Sequence, residues 1–143
     1  MRIGMIGLGR MGANMVRRLL QGGHECVAYD PKPDAVQAVA AYGAQAAHSL
    51  QELVRLLSPP RAVWIMVPAA LVDAVLAQLR PLLAAGDVLV DGGNSNYHDD
   101  IRRAGELEAA GIRYLDVGTS GGVLGFEQGY CLMIGGAPEA VAL

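Results

Sequence analysis

A glycine motif directly after the first apolar run constrains this chain more than any other feature. Residues 2–7 are apolar enough for a buried strand, and residues 11–21 carry their apolar side chains at helical spacing. Between these two segments, the letters GLGRMG at 7–12 join the strand to the helix. Glycines at this spacing allow a tight turn and close packing, and the helix N-terminus presents free N–H groups. We therefore expect a strand-turn-helix unit with an anion site at the turn.

Short apolar runs alternate with helical stretches along the rest of the chain. This alternation predicts an α/β fold: a Rossmann-type, doubly wound, mostly parallel sheet with helices on both faces. The continuous apolar run at 62–67 is typical of a central strand buried on both faces. The predicted strands are residues 2–7, 24–30, 45–47, 62–67, 87–91, 112–117 and 130–134. The predicted helices are residues 11–21, 33–42, 49–58, 71–83 and 99–110, with a glycine-dense loop at 118–129.

The composition indicates a single domain with a core of small aliphatic residues. The chain has 143 residues, 52% of them hydrophobic, and no apolar run approaches the roughly 20 residues that cross a bilayer. A formal charge of -3 offers no basic patch for nucleic acid. We expect a cytoplasmic protein with no nucleic-acid partner and no membrane partner. Cys26 and Cys131 are predicted to be buried. The arginine pairs at 17–18 and 102–103 are predicted to lie on solvated helix faces. The histidines lack the spacing of a metal site.

An acidic residue ends the second predicted strand, about twenty residues beyond the glycine motif. Asp30 stands where a carboxylate accepts hydrogen bonds from both hydroxyls of an adenosine ribose. Together with residues 7–12, Asp30 predicts a bound dinucleotide. NAD is favoured over NADP, because the 2′-phosphate of NADP would meet the Asp30 carboxylate. Lys32, two residues on, could soften that repulsion. The alternatives are a glycine-rich turn without a ligand and a solvent-facing turn acid.

Three loops follow later strands at the edge where open α/β sheets bind ligands. They are residues 67–69, 91–94 and 118–122. In the third loop, three glycines surround Thr119 and Ser120, so that backbone N–H groups could cradle an anionic substrate. Taken alone, the first two loops could be ordinary turns and the third a flexible loop tip.

Four blocks of the sequence resemble one family. They are GLGRMGANMVRRLLQGGH at 7–24, VPA at 67–69, DGGNSNYHDDIRRA at 91–104 and LDVGTSGGVLGFEQGYCLMIGG at 115–136. They are similar to the N-terminal coenzyme domain of 6-phosphogluconate dehydrogenase, decarboxylating, in its shorter form that uses NAD. The related 3-hydroxyisobutyrate dehydrogenases share the first block but typically lack DGGNS. Long NADP-dependent members carry Asn-Arg-Thr where this chain has Asp30-Pro31-Lys32, which agrees with the preference for NAD.

The resemblance implies oxidative decarboxylation of 6-phosphogluconate, or a related sugar acid, to ribulose 5-phosphate and CO2 with NAD as the hydride acceptor. The dinucleotide-binding residues that it implies are Gly7, Leu8, Gly9, Arg10, Met11, Gly12, Asp30, Val67, Pro68, Ala69 and Asn94. The substrate-binding residues that it implies are Asn94, Ser120, Gly121 and Gly122. The family's lysine base and glutamic acid belong to segments outside this sequence. We therefore expect no catalytic residue in this chain, no metal, and a homo-oligomeric full-length protein.

Lys32 is the single lysine, and it follows the second predicted strand, far in topology from the loop at 118–122. It therefore cannot be the base, and we expect the chain alone to bind cofactor without turnover. Residues 135–139 are typical of a turn and a helix start, with only four residues after them, so we expect a chain that stops inside an element. The alternatives are a 3-hydroxyisobutyrate-type dehydrogenase and a dinucleotide-binding module without chemistry.

Overall fold

The computed structural model describes residues 1–122 and 124–142 of the chain. Val123, within the predicted loop, and Leu143 lie outside the described residues. The strands in the described part are β1 (Arg2–Ile6), β2 (Glu25–Tyr29), β3 (Gln45–Ala46), β4 (Ala62–Ile65), β5 (Val88–Asp91), β6 (Arg113–Ser120) and β7 (Cys131–Gly136). They form one sheet in the order β3-β2-β1-β4-β5-β6-β7, in which every pair is parallel except β6 with β7.

Helices cover both faces of this sheet. They are α1 (Arg10–Gln21), α2 (Pro33–Ala40), α3 (Leu50–Leu56), α4 (Ala69–Leu79), α5 (Tyr97–Glu108), α6 (Gly125–Gln128) and α7 (Pro138–Val141), with a 3₁₀ turn at Arg80–Leu82. The core beneath α1 and α2 contains Met5 and Val16, and the core beneath α3, α4 and α5 contains Leu53, Leu76 and Leu107. The predicted α/β fold is therefore confirmed. Within the described residues, we find no helix with the length and apolarity to cross a membrane.

The central strand β4 is buried more completely on one face than on the other. Val63 and Ile65 are fully buried, whereas Trp64 between them is only half-buried. The indole borders a groove between the side chains of α1 and Leu132 of β7, which leaves part of the ring uncovered. The prediction of burial on both faces is therefore wrong at Trp64, and the strand ends at Ile65 rather than at residue 67.

The glycine-dense segment is more ordered than the sequence indicates. Residues 118–120 continue β6 and pair with β7, with Ser120 opposite Cys131. Gly135 and Gly136, predicted as a turn, also belong to β7. The connection from 121 to 130 is too short for a parallel crossover, which needs a dozen or more residues, so β7 returns antiparallel. Cys131 on this strand is exposed, contrary to prediction, while Cys26 is buried as expected.

The arginine pairs are not simply solvated. The Arg17 guanidinium lies 4.2 Å from the Tyr42 ring centroid and 4.3 Å from that of Phe126. Arg103 is 2% exposed, whereas the neighbouring Arg102 is at the surface, as expected. The prediction of solvated faces is therefore wrong for Arg17 and Arg103, because their partners come from segments that are distant in sequence.

Candidate functional site

A cavity of about 670 Å³ opens at the carboxyl ends of the parallel strands. It begins at the glycine turn before α1 and extends across the ends of β4, β5 and β6 to the start of β7. This is the edge at which open α/β sheets bind ligands. The residues that line it are Gly9, Met11, Met66, Val67, Pro68, Gly92, Gly93, Asn94, Gly118, Thr119, Ser120, Cys131 and Met133.

The glycine turn leaves the start of α1 open to an anion. Gly7 has a φ of +92°, which favours glycine. A Cβ on Gly12 would overlap the Gly7 carbonyl oxygen, so glycine at this position permits the close packing of helix and strand. Gly9 caps α1 without a side-chain hydrogen bond, the first turn holds no acidic residue, and a Cβ on Gly9 would meet open space. The first-turn N–H groups and the positive end of the helix dipole therefore face room for a phosphate.

Asp30 is fixed beside this turn. Its Oδ2 accepts a hydrogen bond of 2.8 Å from the Leu8 N–H, and its Oδ1 accepts one of 2.8 Å from the Lys32 N–H. The residue follows β2 and is half-buried. Each carboxylate oxygen can accept more than one hydrogen bond, so Asp30 can also accept from ribose hydroxyls. Its negative charge stands next to the anion site, where it disfavours a second phosphate.

The loop after β5 carries Asn94 to the cavity. Asp91 ends the strand and is fully buried. Its Oδ1 accepts from the Gly93 N–H at 2.9 Å, and its Oδ2 accepts from the Ser95 hydroxyl at 2.6 Å. A Cβ on Gly92 would overlap the indole of Trp64, so the loop packs directly on β4. Asn94 itself is exposed and lines the cavity.

The end of β6 forms the opposite wall. Ser120 is the last residue of the strand and lines the cavity. Gly121 and Gly122 follow it with φ angles of +143° and +49°. Residues 118–120 belong to the antiparallel ladder with β7, in which only alternate residues direct their N–H groups to the partner strand. The predicted cradle of N–H groups over 118–122 stays a prediction.

The structure places six of the fourteen predicted site residues on the cavity wall. Those that line the cavity are Gly9, Met11, Val67, Pro68, Asn94 and Ser120. Those that do not line it are Gly7, Leu8, Arg10, Gly12, Asp30, Ala69, Gly121 and Gly122. Sequence reasoning missed Met66, Cys131 and Met133. The short connection before β7 is the one signal that could have placed the last two beside Ser120.

Known proteins match this chain over its whole length. Residues 2–143 match the family described as the NAD binding domain of 6-phosphogluconate dehydrogenase. An NAD(+)-dependent, decarboxylating 6-phosphogluconate dehydrogenase of Haloferax volcanii is 50% identical over 137 residues, which cover 95% of this chain and 45% of that protein. The chain therefore spans less than half the length of that relative.

Two solved structures share the fold. The 6-phosphogluconate dehydrogenase of Plasmodium falciparum, described with its cofactor NADP+ and its substrate 6-phosphogluconate, superposes with a TM-score of 0.90 at 27% identity and covers 99% of this chain and 32% of that one. The 3-hydroxyisobutyrate dehydrogenase of Salmonella typhimurium gives a TM-score of 0.87 at 30% identity, covering 99% of this chain and 50% of that one.

Proposed function

Because the chain belongs to the family of NAD-binding domains of 6-phosphogluconate dehydrogenase, we propose that it binds NAD along the carboxyl edge of its sheet. The observation that carries this proposal is the uncapped start of α1 beside the fixed carboxylate of Asp30. A dinucleotide needs an anion site for its pyrophosphate and an acceptor for its ribose. The glycine turn borders one end of the cavity, and Asp30 lies beside that turn.

The dinucleotide would extend from the glycine turn across β4 to β5. Residues 7–12 would hold the pyrophosphate, Asp30 the adenosine ribose, and residues 67–69 the middle of the molecule. Asn94 would meet the nicotinamide, which accepts a hydride when bound. A preference for NAD over NADP is part of the proposal, since a 2′-phosphate would face the Asp30 carboxylate. The NADP+ named with the Plasmodium protein is a property of that relative.

The full-length protein would oxidise 6-phosphogluconate at C3 and release CO2 and ribulose 5-phosphate. In this chain, Asn94 and Ser120, with Gly121 and Gly122, would hydrogen-bond the sugar acid. The proton acceptor and donor would come from the remainder of the protein. Lys32 follows β2, and three strands separate β2 from β6, a distance of roughly 19 Å at the usual strand spacing. The chain alone would therefore bind cofactor without turnover.

A second candidate is a 3-hydroxyisobutyrate-type dehydrogenase, which the likeness to the Salmonella structure supports. The sequence DGGNS after β5 favours the sugar-acid enzyme instead, because the resemblance associates that block with the 6-phosphogluconate family. A dinucleotide-binding module without chemistry is the third candidate. A cytoplasmic location and a homo-oligomeric full-length protein, both expected from the sequence, belong to the same proposal.

The test is an assay of the full-length gene product with each substrate and each cofactor. We expect NADH formation with 6-phosphogluconate and CO2 release in equal amounts. Faster turnover of 3-hydroxyisobutyrate would favour the second candidate. Cofactor binding without turnover of either acid would favour the module.

A further inference from the structure

An ionic cluster, buried except for Asp73, lies beneath the loop that carries Asn94. Arg103 projects from α5 into the interior and is 2% exposed. Its Nε donates to Asp73 Oδ1 at 2.8 Å, and its Nη1 lies 3.2 Å from Asp100 Oδ1 and 3.5 Å from Asp91 Oδ2. The hydrogen bond with Asp73 raises the pKa of Arg103, so the guanidinium remains charged. A buried cation is tolerated only with such partners, and here they come from α4, α5 and β5.

Asp91 connects this cluster to the loop. One carboxylate oxygen accepts from the Gly93 N–H and the other from the Ser95 hydroxyl, so one side chain holds both neighbours of Asn94. The hydroxyl of Tyr114 lies 2.8 Å from Asp100 Oδ1 and 3.2 Å from Asp91 Oδ2, so these two carboxylates share its one proton. Burial raises the pKa of Tyr114, so this hydroxyl keeps its proton and remains a donor. The orientation of the Asp91 carboxylate therefore sets the backbone on either side of Asn94.

The amide of Asn94 depends on that backbone. Within residues 1–122 and 124–142, no side-chain hydrogen bond holds the Asn94 amide. The loop packs closely on the sheet, since a Cβ on Gly92 would overlap Trp64 and the Met66 sulfur. The two hydrogen bonds to Asp91 therefore restrain the backbone position from which the Asn94 side chain reaches the cavity.

We propose that Arg103 is a positioning residue for the nicotinamide half of the dinucleotide. It orients Asp91, and Asp91 fixes the loop that presents Asn94 to the cavity. The neighbouring Arg102 has a different role: it shares Asp73 with Arg103, but its side chain is 45% exposed and its other partners are the surface carboxylates of Asp99 and Glu106. This inference rests on the proposed function, because it requires a dinucleotide in the cavity.

The test compares Arg103→Lys with Arg102→Lys, each of which keeps the charge and removes the planar fork of donors. Calorimetry on the chain measures the affinity for NADH and for ADP-ribose, which lacks the nicotinamide. Energy transfer from Trp64, the single tryptophan, reports where the reduced ring is held. We expect Arg103→Lys to weaken the binding of NADH about tenfold and to lower the energy transfer from Trp64 to the reduced nicotinamide. The affinity for ADP-ribose should stay unchanged. Arg102→Lys should change none of these quantities.

An equal loss of affinity for both ligands would overturn the proposal, because it would indicate general damage. Unchanged NADH affinity in Arg103→Lys would overturn it too, as would equal affinities of the unmodified chain for the two ligands. Should Arg103→Lys fail to fold, Ser95→Ala replaces it, because this change removes one hydrogen bond between Asp91 and the loop. We again expect weaker binding of NADH and unchanged binding of ADP-ribose. Failure of the unmodified chain to bind either ligand would instead refute the proposed function.

Discussion

At the scale of single residues, the Asp30 carboxylate has the most direct consequence for ligand choice. Both oxygens accept from backbone N–H groups, so the charge is held beside the glycine turn and cannot swing away. We expect Asp30→Ala to reduce the preference for NADH over NADPH by about tenfold, because the repulsion of the 2′-phosphate is removed. Calorimetric titration with both cofactors measures this ratio. Asp34→Ala, which removes an exposed charge from α2, is the control and should leave the ratio intact.

Two glycines of the same turn are expected to respond differently to alanine. A Cβ on Gly9 meets no atom within 4 Å, whereas a Cβ on Gly12 overlaps the Gly7 carbonyl. Gly12→Ala should therefore lower the free energy of unfolding by about 1–3 kcal/mol, the usual cost of overpacking. Gly9→Ala should retain most of the stability and lose NADH binding, since the methyl occupies the phosphate space. Thermal unfolding and NADH titration of both variants measure these effects, and a stable, NADH-binding Gly9→Ala protein would contradict the assignment.

At the scale of elements, α1 packs against α6, the short helix between β6 and β7. Arg17 of α1 lies between the Tyr42 and Phe126 rings, and Arg18 Nη1 donates to the Phe126 carbonyl at 2.9 Å. We expect Arg17→Ala to lower the free energy of unfolding by about 1–2 kcal/mol, as cation–π contacts to two rings allow. Urea unfolding measures the change. Arg55→Ala, with its exposed ion pair, should cost only about 0–0.5 kcal/mol; equal losses would argue against the contact.

Some elements of the fold can be predicted from local sequence patterns, and others cannot. The strands and helices up to β6 follow from local periodicity and capping, as at Ser49, whose hydroxyl accepts from the Glu52 N–H at 3.0 Å. The direction of β7 and the burial of Arg103 depend on contacts between distant segments. Arg102 and Arg103 are neighbours on α5 and both pair with Asp73, but only Arg103 also reaches the buried Asp91, a contact that the local sequence does not indicate.

At the scale of the whole molecule, ion pairs between α4 and α5 make stability depend on acidity. The hydrogen bond from Arg103 lowers the pKa of Asp73 from 3.8 to about 2. A depressed pKa in the folded state gives stability that is complete above 3.8 and lost as the pH falls toward 2. Asp73→Asn should therefore flatten the fall in the free energy of unfolding over that interval. Urea unfolding between about pH 2 and pH 4 measures how steeply the free energy of unfolding falls. The control is Asp99→Asn, at the surface beside Arg102, in which the fall should stay as steep as in the unmodified chain.

Calorimetric titration of the chain with NADH and with NADPH tests the proposed dinucleotide site most directly. We expect one site per chain, with tighter binding of NADH, because α1 accepts the pyrophosphate and Asp30 repels the 2′-phosphate. Absence of binding, or tighter binding of NADPH, would refute the proposed site.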